Sequence, residues 1–247
     1  MKSLLKLTWI EAKLFWREPQ ALFFTLIFPL LLLFVYGGIY GNKPKAIFGG
    51  FGHVDVSVPS YTAMIIATSG LISTSVIMAT YREGKILRRF KATPLSPLVL
   101  LTADVIVIFF MTLLGMILLV VVAKLAFGMR FSGNILSFAG AFLISCLSFF
   151  SLGFILASLI RTARSAQIVS MSIFFPMILL SGATVPLEIM PETIRTYAKL
   201  FPLTYVVQLL KGIWFGKAWS EYLTEIIVLI VMFVIGLLIS AKTFRWD

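Results

Sequence analysis

The side chains able to do covalent or metal chemistry are few and far apart in this sequence. A metal centre or a nucleophilic hydrolase needs His, Cys, Asp and Glu brought together, yet there is one histidine, His53, and one cysteine, Cys146, in different segments. His53 falls in a loop and reads as a solvated side chain. Cys146 lies in an apolar run, where it acts as a small packing residue and leaves no internal disulfide. Ion-coupled transport would need charges within the apolar runs, but Asp104, Lys124 and Glu225 stand at or near the ends and the centres are uncharged. Gly236 to Thr243, GLLISAKT, misses the phosphate-cradling pattern G-x-x-x-x-G-K-[ST] at Ala241 and closes an apolar helix instead of following a strand, so no ATP binding is expected.

What remains is the chemistry of recognition. Ser69, Ser73 and Thr74 in one apolar run, with Ser172, Phe174, Phe175 and Ser181 in another, could line a mildly polar cavity for an amphiphile; the same groups would also serve interhelical hydrogen bonding and packing. The most charged stretch is Tyr81 to Pro97, YREGKILRRFKATPLSP. Wound as a helix at about 100° per residue, it gathers Ile86, Leu87 and Phe90 in one arc and spreads Arg82, Lys85, Arg88, Arg89 and Lys91 around the rest. Thr93-Pro94 ends that helix, because the residue before proline is pushed out of the helical region, and Ser96-Pro97 leads on toward the next apolar run.

Those residues must be held by a membrane-embedded frame. Of 247 residues 60% are hydrophobic and only 13% charged, whereas charged residues approach a quarter of a soluble domain. The net charge of +11 is then best read as basic residues facing anionic headgroups, with no nucleic-acid partner. About twenty apolar residues cross the hydrocarbon core; six runs qualify, at 21–40, 61–80, 104–127, 135–160, 165–184 and 222–241. Pro29 and Pro176 imply kinks in the first and fifth. The pairs Ala63/Ala67, Ser69/Ser73 and Gly153/Ala157 would allow close helix approach. No A-x-A-like site follows the first run, so a cleavable signal peptide is not expected. The spans leave little chain for a soluble unit, so any motor must be another polypeptide.

Residues 1–19 align Lys2, Lys6, Lys13 and Arg17 on one stripe and Glu11 and Glu18 on another, the pattern of a helix lying at the membrane interface with Trp9 and Trp16 at headgroup level. With the N-terminus inside, one side holds 13 of the 21 Lys and Arg and the other 8, which puts both termini and the 81–97 loop in the cytosol. The segment Val185 to Glu221 is too apolar for a plain loop. Pro191 and Pro202 each suit the first turn of a short helix, over Pro191 to Leu200 and Pro202 to Phe215, and neither piece is long enough to cross. A re-entrant hairpin at 185–215, with Trp214 and Trp219 near the interface, is the expected solution; a soluble cap would expose Leu203, Val206, Val207, Leu209 and Leu210.

Three stretches give the chain a family resemblance over essentially its whole length: IEAKLFWREPQALFFTLIFPLLLLFVYG at Ile10 to Gly37, REGKILRRFKATPLSP at Arg82 to Pro97, and FFPMILLSGATVPLEIMPETIRTYAKLFPLTYVVQLLKGIWFG at Phe174 to Gly216. It resembles the membrane (permease) subunit of type-2 ATP-binding-cassette (ABC-2) exporters, in the branch of small-amphiphile and drug exporters. The second stretch is similar to the pattern R-E-x-G-T-L-x-x-L-x-x-T-P-L-S at Arg82, Glu83, Leu87, Thr93, Pro94, Leu95 and Ser96; Gly84 directly after Glu83 and the pair Arg89-Phe90 depart from it.

The resemblance implies an all-α integral membrane protein with six transmembrane helices, residues 1–19 as an interfacial connecting helix, 82–97 as a cytosolic coupling helix between spans two and three, and 185–215, with Pro191, Pro202 and Tyr205, as a re-entrant hairpin between spans five and six. It also implies a non-enzymatic subunit that pairs with a second permease copy, expected to be identical, and with two ABC nucleotide-binding ATPase subunits that carry ATP and Mg. The setting would be the plasma membrane of a prokaryote, in contact with its lipids. Arg82, Glu83, Ile86, Leu87, Arg88, Arg89, Phe90, Thr93 and Pro94 would meet the ATPase, and a small amphiphile would leave by alternating access between the permease halves. A polysaccharide exporter of the same fold and a non-transporting membrane sensor are the alternatives.

Overall fold

Residues 2–16, 18–86 and 97–243 are described by a computed structural model. Among them the chain is helical throughout: α1 Lys2–Phe15, α2 Pro19–Tyr40, α3 His53–Glu83, α4 Pro97–Phe127, α5 Ile135–Leu159, α6 Ala163–Leu180, α7 Glu192–Ala198, α8 Pro202–Trp214 and α9 Leu223–Thr243. Six of them, α2 to α6 and α9, are long and apolar enough to cross a membrane. Local chemistry sets several boundaries. Pro19 and Pro202 open α2 and α8, where a missing N–H costs nothing. The Asn134 side chain accepts from the Leu136 and Ser137 amides at 2.8 and 3.1 Å, and Thr162 accepts from the Ser165 amide at 3.2 Å, capping α5 and α6.

Helix α3 is the axis of the bundle. In its most apolar window 89% of residues are buried, against 11% for the last span, because α2, α4, α5, α6 and α8 all pack on it. Several of its hydroxyls bond within the helix, Thr62 donating to the Val58 carbonyl and Thr68 to that of Met64, whereas Ser69 Oγ and Ser73 Oγ are buried with no hydrogen-bond partner among the described residues. Helix α9 lies along α5 and leaves much of its apolar surface, such as Ile227, Val231 and Leu238, facing outward. The tightest crossing is α3 on α5. A Cβ on Gly153 would fall 2.0 Å from the Gly70 carbonyl oxygen and 2.8 Å from Thr74 Cβ, so only glycine permits this approach. Gly70 sits in a π-helical stretch, Thr68–Ser73, and a second one, Phe23–Ile27, interrupts α2.

The second span departs from the hydropathy reading. It begins at His53, not Tyr61, because its polar first turns are buried and paired. Asp55 accepts from Asn42 Nδ2 (2.9 Å) and the Arg130 amide (2.8 Å) at Oδ1, and from the Gly52 amide (2.9 Å), Arg130 Nε (3.1 Å) and Nη2 (2.8 Å) at Oδ2. One carboxylate thus ties the α2–α3 connection to the α4–α5 turn, and a sequence window counts as loop what the fold has made into helix. His53 is corrected likewise: it is 6% exposed, surrounded by the rings of Tyr36, Tyr40 and Phe48, and is not a solvated side chain. Trp214 is no interfacial anchor either. It is 2% exposed and meets Phe131 and Phe138 edge to face at 4.7 and 5.1 Å, because the apolar face of α8 docks on α3, α5 and α9.

Candidate functional site

At the end of the bundle that carries α1, three helices meet through a polar cluster. Glu11 comes from the middle of α1, Tyr81 from the last turn of α3 and Asp104 from the second turn of α4, and all three are buried. Tyr81 Oη donates to Glu11 Oε2 at 2.5 Å and stands 2.9 Å from Asp104 Oδ1. One hydroxyl hydrogen cannot serve both oxygens, so Tyr81 donates to one carboxyl group at a time. A cavity of about 210 Å³ adjoins it, with Phe15, Glu18, Ile77 and Val107 in its wall. Glu18, in the α1–α2 link, is pushed above the usual carboxylate range by burial.

The two residues after Tyr81 reach across to the α5–α6 turn. Arg82 Nη1 donates to the Ser158 and Ile160 carbonyls at 3.4 and 3.2 Å, where the carbonyls at the C-terminus of α5 carry negative partial charge. Glu83 Oε2 accepts from the Ala163 amide at 2.9 Å, on the first turn of α6, where a carboxylate is favoured. A positive side chain on a helix C-terminus and a negative one on the next N-terminus fasten α3 to α5 and α6 at one point. Ile86 packs beside the small core of Met78, Tyr81, Leu100 and Ala157, to which Leu7 of α1 also adds. Arg82, Glu83 and Ile86 therefore bind within the chain here. Leu87, Arg88, Arg89, Phe90, Thr93 and Pro94 lie outside the described residues.

The seven span residues singled out for an amphiphile path do not share a surface. Ser69, Ser73, Thr74, Phe174 and Ser181 are buried, whereas Ser172 and Phe175 face outward. Thr74 donates to the Ser69 carbonyl at 3.0 Å and Ser172 to that of Ile168 at 2.8 Å. The 185–215 segment contains α7 and α8; Pro191 precedes α7, Pro202 opens α8, and Tyr205 Oη donates to the Lys199 carbonyl at 2.9 Å.

The chain has six candidate spans, and by sequence comparison its residues 2–215 fit the ABC-2 type transporter family. The chain belongs to the ABC-2 type transporter family. Relatives agree on the same class. A probable multidrug ABC transporter permease of Escherichia coli K12, YbhS, is 26% identical over 188 residues, 76% of this chain and 48% of the relative. A putative transport permease of Porphyra purpurea, ycf38, is 25% identical over 212 residues, 83% of this chain and 71% of the relative. The inner membrane transport permease YhhJ of E. coli K12 is 23% identical over 202 residues, 78% of this chain and 52% of the relative. The chain thus spans about half the length of YbhS and YhhJ. Among its described residues no group of three or more His, Cys, Asp or Glu could hold a metal ion.

Glu11 and Asp104 stand far apart in the sequence, where no pattern joins them. Asp104 looked like a span end, and only the fold shows that α4 begins at Pro97, placing the aspartate two turns inside a helix. The signal available was an aspartate followed at once by a long apolar run, together with a tyrosine at the end of the preceding span.

Proposed function

We propose that the chain is the membrane subunit of an ATP-driven exporter of small amphiphiles, with ATP and Mg held by two separate ABC ATPase subunits and with a second, identical permease copy completing the path. The observation that carries the reading is the junction at Tyr81, Arg82 and Glu83. The amphipathic 82–97 stretch leaves α3 where α3 is bonded to α1, α4, α5 and α6 at once. Arg82 and Glu83, at the root of that stretch, are bonded to α5 and α6 beside the Tyr81 contacts to α1 and α4, so a push that reaches this root would act on four helices, as a coupling helix requires. Leu87 and Phe90, with Ile86 at the root, would enter a groove on the ATPase, and Arg88 and Arg89 would make polar contacts around it.

In this reading α1 is the interfacial connecting helix, with Trp9 and Trp16 outward at headgroup level, both termini are cytosolic, and α7–α8 is the re-entrant hairpin of the outer side. ATP closes the ATPase dimer, the 82–97 stretch and α1 move as levers, and the permease halves rock between inward- and outward-facing states. Cargo would pass between the halves, where Ser172 and Phe175 face out of the protomer; the buried hydroxyls of α3 would act by shaping that wall. The test is Leu87→Asp with Phe90→Asp. The expected result is loss of assembly with the ATPase, with the permease still folded in the membrane. A complex that assembles and whose ATP hydrolysis still responds to cargo would overturn the coupling assignment.

A further inference from the structure

At the end of the bundle opposite Glu11 and Tyr81, a cavity of about 210 Å³ opens between the α2–α3 connection and the segment that follows α6. Tyr36 and Tyr40, one helical turn apart on α2, stack nearly parallel with centroids 6.2 Å apart. The His53 ring lies 4.8 Å from Tyr40 and 6.1 Å from Phe48. Val185 and Pro186 form part of the opposite wall. His53 is buried, yet its Nε2 has no hydrogen-bond partner among the described residues. An imidazole nitrogen left unpaired in an aromatic setting is costly unless a ligand supplies the partner. The one charged side chain on the cavity wall is Lys45, whose Nζ sits 5.3 Å over the Tyr40 ring.

From this arrangement we infer that the cavity is a binding site for a small aromatic amphiphile with an anionic headgroup, of the aromatic carboxylate class. The rings offer flat apolar faces to the body of the ligand. Lys45 attracts the carboxylate and turns cationic amphiphiles away, since no acidic side chain lines the cavity. His53 Nε2 supplies the directional contact. The volume lies below the roughly 300–1,000 Å³ of drug-sized pockets, so the body has one or two rings. The site draws on parts of the chain that the proposed coupling to an ATPase does not use, and its test contains no ATPase, so either can fail alone.

Because His53 is the sole histidine of the chain, its reaction with diethyl pyrocarbonate reports on this cavity. The full-length protein, purified with a histidine-free tag into lipid nanodiscs, is labelled with and without 2-naphthoate, and the His53 peptide is quantified by mass spectrometry. The expected result is that labelling slows about fivefold at a naphthoate concentration about four times its Kd, while 2-naphthylmethylammonium at the same concentration leaves the rate unchanged. Lys45→Gln, on an exposed residue, should abolish the protection measured against that variant's own ligand-free rate. Equal protection by the cation, protection that survives Lys45→Gln, no protection by naphthoate, or a His53 that does not react even without ligand would each overturn the assignment.

Discussion

Replacing Tyr81 by phenylalanine removes one oxygen and nothing else, and it does so at the point where Glu11, Tyr81 and Asp104 hold α1, α3 and α4 together. A hydrogen bond to a charged acceptor contributes about 1.5–3 kcal/mol when its loss leaves the acceptor buried and unpaired. Two acceptors face the hydroxyl, but one hydrogen serves them, so one such bond is lost. The adjoining cavity of about 210 Å³ is large enough to admit water to the exposed carboxyl oxygens, which favours the lower part of that range. The expected cost is about 2 kcal/mol, or roughly 4–8 °C in Tm at about 2–4 °C per kcal/mol for a chain of this size. Tryptophan-fluorescence melting of wild type and variant in the same nanodisc, at one scan rate, measures it. Glu11→Gln supplies the control, because an amide keeps an acceptor for Tyr81 and adds a donor toward Asp104; it should change stability by less than about 0.5 kcal/mol. A Tyr81→Phe protein that melts with wild type, or a Glu11→Gln protein that loses as much as Tyr81→Phe, would refute the shared-hydrogen reading.

Other parts of the frame give sharp expectations. Gly153→Ala forces a methyl group to within 2.0 Å of the Gly70 carbonyl oxygen, backbone against backbone, and should cost about 1–3 kcal/mol or more by overpacking; a variant with wild-type melting would mean that α3 and α5 do not cross there. Asp55→Ala leaves the Gly52 and Arg130 amides without their acceptor and should cost about 2–6 kcal/mol at about 1–3 per unpaired buried group, detectable as loss of folded yield. Glu18 titrates higher in the folded chain than in the unfolded one because of burial, so it favours folding as pH falls toward its folded value and opposes folding above it. Melting temperature should therefore decline as pH rises through the range in which Glu18 gives up its proton in the folded chain, and Glu18→Gln should flatten that decline; an unchanged slope in Glu18→Gln would count against its burial.

Most of the frame could be read from periodicity and hydropathy because the membrane leaves few choices: an apolar run of about twenty residues has to be a helix. The six spans, the helix at residues 2–15 and the two short helices opened near Pro191 and Pro202 were all visible this way. What escaped was polar pairing across distant segments. Asp55 makes the approach to α3 look like a loop until Asn42 and Arg130 are seen around it. His53 looks solvated until Tyr36, Tyr40 and Phe48 close on it. Arg82 and Glu83 are expected from the sequence to meet the ATPase, and only the fold shows that the α5–α6 turn, about eighty residues away, supplies partners for both. In each case the burial of a polar group depends on a neighbour that no local window contains.

In the proposed function, energy enters through residues 82–97 from a separate ATPase. Cys146, the single cysteine, is buried, so Phe90→Cys supplies one reactive thiol for a maleimide-benzophenone crosslinker in membranes that also contain the ATPase. A light-dependent adduct between permease and ATPase is expected from Phe90→Cys and none from Lys43→Cys at the opposite end of the bundle. Adducts from Lys43→Cys, or none from Phe90→Cys in a complex that hydrolyses ATP, would contradict it.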